Sequence, residues 1–132
     1  MHITQKNIHL WISIPIVISA GLSYGIFPDV FLDLKPETVD ESNFHKAVMF
    51  LYFGNATLWV FGLFKKSYLK TALLSHVFFM LPMALGRFLS IIIDGVPSLL
   101  YLYGTIGELI LGIYGVWVLV NQHQSTTYTE TN

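Results

Sequence analysis

Cysteine is absent from this chain of 132 residues, so disulfides, thiolate chemistry and cysteine-held metal clusters are excluded. Charge is scarce: 11% of residues are Asp, Glu, Lys or Arg, where a soluble domain carries about 25%. The formal net charge of −1 offers no basic field for nucleic acid. Zinc-finger spacing, basic repeats, a Ser-His-Asp signature and a phosphate-binding glycine loop are all missing. With so little to mark chemistry, the apolar content carries the reading: 54% of the residues are hydrophobic.

Distribution says more than the average. The charges gather in short intervals, and the runs between them approach the roughly 20 apolar residues that cross a bilayer. Four runs qualify: Ile8 to Phe27, Ala47 to Phe64, Thr71 to Ile93, and Leu99 to Val120. The fold class expected is all-α, a compact polytopic bundle of four transmembrane helices over residues 1–120. Residues 121–132 have no apolar period and are expected to form a flexible cytoplasmic tail.

The first run has the outline of a signal peptide, but Ile18 is a poor small-residue position and the apolar stretch continues past Ala20. Pro15 and the Gly21/Gly25 pair are tolerable irregularities in a membrane helix. Residues 28–46 form the longest polar interval, rich in Asp and Glu, with Val30, Phe31 and Leu32 as a short interfacial segment. A loop returning the chain to the membrane explains this interval better than a dedicated acidic site. The turn KKSYLK makes spans two and three antiparallel neighbours. Pro82 removes the helical bond to the carbonyl of Phe78. Asp94, Gly95, Val96, Pro97 and Ser98 spell a turn, with Gly95 and Pro97 as its structural residues.

Lys65, Lys66 and Lys70 lie at one end of the bundle and the acidic interval and Asp94 at the other. The positive-inside rule puts the lysines and both termini in the cytoplasm, here the cytoplasmic side of a bacterial inner membrane.

Asn55, His76, Arg87 and Glu108 interrupt the apolar spans. Charge in hydrocarbon is expensive and faces a partner or a cavity. Arg87 lies about two turns from Asp94, and Glu108 about three turns from Ser98. Asn55 is similarly deep when counted from Ala47. Arg87 is therefore expected to pair with Glu108, with Asn55 nearby and Asp94 at the entrance: a candidate ligand site of Asn55, Arg87, Asp94 and Glu108. His76 is expected to be solvated or hydrogen-bonded. His45 and His123 sit too far away to join it in a three-histidine zinc site, so no metal or cofactor is implied. Gly104, Gly112 and Gly115 recur around Glu108, with Gly107 at the edge, and permit close helix packing within the chain or across a dimer face. Tyr52, Trp59, Tyr101 and Tyr103 are expected to pack the spans or mark interfaces.

The segments GRFLSIIIDGVPS (86–98), GELILGIYG (107–115) and FGNATLWVFGLF (53–64) resemble the membrane-protein family catalogued as domain of unknown function 4345. The resemblance covers most of the chain. It implies a four-helix membrane fold and places weight on Arg87, Asp94, Gly95, Pro97, Glu108 and Asn55. It implies no activity. A likeness in build to DoxX-like proteins is weaker and transfers no function. The functional classes compatible with these residues are a binder of a small or amphipathic ligand, an accessory subunit with a membrane-protein partner or a second copy, an enzyme acting on a lipid-like substrate, and a transporter.

Overall fold

A computed structural model describes the backbone of residues 4–130 and the side chains of residues 4–121. The elements are α1 (Ile8–Gly25), α2 (Pro28–Leu32), α3 (Val39–Phe64), α4 (Lys66–Asp94) and α5 (Leu99–Glu130), with no strand among the described residues. Four of the helices are long and apolar enough to cross a membrane. The all-α four-helix bundle expected from the sequence is present, and the chain is a membrane protein by this build.

Its surface suits a lipid solvent. Phe78, Ile92, Phe50 and Ile110 are well exposed, as lipid-facing side chains are. The interior instead holds Trp59, His9, His76, Ser13 and Thr105 alongside Leu10, Leu73 and Met80. Lipid tails are as apolar as leucine, so helix association rests on close packing and buried polar contacts. The buried face of α1 shows both, since His9, Ser13, Val17, Gly21 and Gly25 follow at four-residue intervals. A Cβ on Gly25 would stand 2.5 Å from Met49 Sδ, and one on Gly21 would stand 3.1 Å from Tyr52 Cβ. The Gly21/Gly25 pair is therefore the α1–α3 seam and not an irregularity.

The polar interval is shorter than expected. Pro28 at the first position starts α2, and Asp33 in the left-handed region (φ 53°) ends it. α3 then begins at Val39, eight residues before Ala47, because Thr38 and Glu41 form a capping box. Thr38 Oγ1 accepts from Glu41 N at 3.1 Å, and Glu41 Oε2 accepts from Thr38 N at 3.2 Å. The expected loop over 28–46 thus reduces to residues 33–38.

The lysine turn also contracts. Lys65 alone separates α3 from α4, and Gly62 lets Ala72 pack directly against the corner. Pro15 and Pro82 both lie within uninterrupted helices. Gly95 (φ 104°) ends α4 in a conformation that L side chains rarely adopt, and Pro97 precedes the start of α5, so the turn is built as its sequence implied. The flexible tail expected beyond Val120 falls almost wholly on side chains outside the described residues; the α5 backbone runs to Glu130.

α1 packs on α3, α3 on α4 and α4 on α5, while α1 and α5 touch only slightly. That last seam is where the bundle opens.

Candidate functional site: a cleft at the seam between the first and last helices

At the lysine end α1 and α5 are tied. Tyr114 Oη donates to the Gln5 carbonyl at 2.9 Å, and the His9 and Tyr114 rings lie 5.3 Å apart. His9 meets His76 edge-on at 4.8 Å, and His76 meets Trp59 at 4.9 Å. Ser13 Oγ and His76 Nε2 share a 2.8 Å hydrogen bond. One knot of side chains thereby joins all four long helices. His76 is hydrogen-bonded, as expected, and fully buried. His9 escaped notice because one histidine at the start of an apolar run looks like an interfacial residue. Its four-residue spacing to Ser13 was the available signal.

Towards the other end the helices part. A cleft of about 430 Å³ lies between α1, α3, α4 and α5. α1 contributes Ile16, Val17, Ala20 and Tyr24; α3 contributes Tyr52; α4 contributes Phe79, Met80, Met83 and Arg87; α5 contributes Tyr101, Gly104, Gly107, Glu108 and Leu111. The α5 positions 101, 104, 108 and 111 fall on one stripe at helical spacing. The volume lies within the range of small-molecule sites, which are mostly apolar with a few convergent polar groups.

Arg87 and Glu108 are those groups. Arg87 Nε lies 2.9 Å from Glu108 Oε2, with the two side chains 21% and 15% exposed. This is an ion pair by distance, although its N–H···O geometry falls short of a well-aligned hydrogen bond. Arg87 Nη2 also donates to Met83 Sδ at 4.0 Å. The Arg87 guanidinium also sits 5.5 Å from the centre of the Tyr101 ring, within cation–π range. Below it, Tyr52 Oη donates to Met83 Sδ at 3.1 Å.

The other expected members lie elsewhere. Asn55 is not beside the pair: its Oδ1 accepts from Ser75 Oγ at 2.8 Å, and its Nδ2 donates to the Leu51 carbonyl at 3.0 Å. Counting depth from Ala47 misplaced it. The tight corner at Lys65 sets the register between α3 and α4, and it brings Asn55 level with Ser75, about 18 Å along α4 from Arg87. Asp94 sits on the exposed last turn of α4, accepts from Ser90 Oγ at 2.8 Å, and is absent from the cleft wall.

The glycines divide in the same way. A Cβ on Gly112 would stand 2.5 Å from Leu81 Cδ2, and one on Gly115 would stand 2.9 Å from Val77 Cγ2, so both are packing glycines within the chain. Gly104 and Gly107 have nothing within 4 Å. Gly104 therefore does not hold helices together; with Gly107 it leaves the cleft open. Among the described residues no group of three or more His, Cys, Asp or Glu side chains could hold a metal ion.

The fold and site define a four-helix membrane protein with a part-polar cleft at the meeting of its first and last long helices. The chain belongs to the family described as domain of unknown function DUF4345, whose sequence model matches residues 5–119 and so takes in the whole cleft. No curated protein and no solved structure matches the chain.

Proposed function

We propose that this protein binds a small amphipathic ligand in the α1–α5 cleft, with Arg87 and Glu108 holding the polar head and the apolar wall of α1, α4 and α5 taking the remainder. One observation carries the reading: an imperfectly aligned ion pair set in a largely apolar cavity of about 430 Å³. A pair needed only to join α4 to α5 would gain from full alignment and from packing that excludes a cavity. The site binds without catalysing. Asp94 and Asn55 serve as helix-end and interhelix contacts in this reading, through Ser90 and Ser75.

The lysines near the α3–α4 corner face the cytoplasm in this proposal, as the positive-inside rule directs. Both termini then lie on that side, and the cleft occupies the outer half of the bilayer.

Native mass spectrometry after gentle membrane extraction tests the proposal. The unchanged protein is expected to carry a reproducible small molecule that folded Arg87→Ala and Glu108→Gln variants lose. An unchanged protein that carries none, and takes up none from added amphiphiles, overturns the reading.

A further inference from the structure

We infer that the occupant of the cleft is an amphiphile with an electroneutral head that both donates and accepts hydrogen bonds, and that it arrives sideways from the bilayer through the seam at Gly104 and Gly107. This rests on the reading of the cleft as a ligand site and adds the ligand's chemistry and its route.

Charge comes first. Arg87 is already faced by the Glu108 carboxylate at 2.9 Å and by the Tyr101 ring. An anionic head reaching Arg87 would stand beside Glu108, and a cationic head reaching Glu108 would stand beside Arg87. In a poorly screened site either like-charge approach is costly. A head without net charge avoids both.

Hydrogen bonding sets the second condition. Arginine only donates and a carboxylate only accepts. The guanidinium has five N–H donors and the carboxylate two oxygens, more than their mutual contact at 2.9 Å uses. A head with an acceptor for the first and a donor for the second, such as a diol or an amide, completes both. A head with acceptors alone offers Glu108 nothing.

Size and access set the third. At about 30 Å³ per water-sized group, the 430 Å³ cleft holds a compact head and part of one chain. α1 and α5 are joined near Gln5 and Tyr114 but part beside the cleft. At Gly104 and Gly107 the missing side chains leave open space, so the opening faces the bilayer, where an amphiphile already resides.

The test uses the full chain in phosphatidylcholine nanodiscs, with radiolabelled glycerol monolaurate, lauryl phosphate and lauryltrimethylammonium as probes and protein-free nanodiscs as the background. Glycerol monolaurate is expected to saturate at one-to-one stoichiometry and to bind at least about tenfold more tightly than either charged probe. Gly104→Leu fills open space and is expected to keep the melting temperature while weakening glycerol monolaurate binding by about tenfold or more. Gly107→Leu serves the same purpose should Gly104→Leu fail to fold. Preference for lauryl phosphate, lost in Arg87→Ala, overturns the electroneutral head and leaves the cleft as a ligand site. Unchanged binding in the folded glycine variant overturns the lateral route. Saturable binding of none of the three probes overturns the ligand reading together with this inference.

Discussion

Ser13 and His76 are hydrogen-bonded at 2.8 Å although α1 and α4 stand diagonally across the bundle. Helices on a diagonal share little packing surface, so this bond and the His9–His76 ring contact tie them directly. Ser13→Ala leaves His76 Nε2 without its partner among fully buried neighbours. The expected loss of stability is about 1–2 kcal/mol, from the lost bond and the unsatisfied nitrogen. Reversible unfolding in mixed micelles, followed by tryptophan fluorescence, measures it. No loss in Ser13→Ala would show that the diagonal bond is dispensable.

The ion pair makes a different demand. Removing one partner leaves a lone charge in a largely apolar cleft, whereas replacing both removes the charge altogether. Arg87→Met and Glu108→Leu are each expected to lower the melting temperature more than the two together. The pair is partly exposed, so the single losses should fall below the roughly 3–5 kcal/mol seen for fully buried pairs. Thermal unfolding of the three variants in one detergent decides the order.

Glycines of similar appearance should behave oppositely. Gly25→Ala places a Cβ 2.5 Å from Met49 Sδ, and the repacking is expected to cost about 1–3 kcal/mol. Gly104→Ala meets nothing within 4 Å. In mid-helix it is expected to be neutral or stabilising by up to about 1 kcal/mol. Comparing the two melting temperatures tests whether α1 or the N-terminal half of α5 carries the close seam.

Thr38→Ala removes half of the capping box at the start of α3. The expected cost is about 1 kcal/mol, local to the first turn. Faster hydrogen exchange at the amide of Glu41, with the amides near Trp59 unchanged, is the expected pattern. A uniform increase along α3 would assign Thr38 a wider role.

Much of this molecule was legible as a pattern of composition. The four spans, the turn at Gly95 and Pro97, and the meeting of Arg87 with Glu108 all follow from apolar length and from matched depths across one short connection. Asn55 was misplaced because its depth depends on where a corner closes, and Lys65 closes that corner in a single residue. The start of α3 was set eight residues late because hydropathy was followed where Thr38 and Glu41 already spelled a cap. The roles of Gly104 and Gly112 could not be separated, since spacing alone does not say which glycine faces a neighbouring helix and which faces a void. The His9–His76 contact joins residues 67 positions apart, and it becomes visible only when the helices are placed side by side.

The cleft walls come mainly from α1 on one side and α4 and α5 on the other. During synthesis α1 emerges first of the described helices and α5 last. The α3–α4 hairpin, closed by one residue at Lys65, can form while the chain is still growing, but the cavity cannot. The site is therefore completed only when α5 arrives, after the other described helices. Until α5 inserts, Arg87 stands in the membrane without Glu108, and the arrival of that helix neutralises the charge and encloses the cavity in one event.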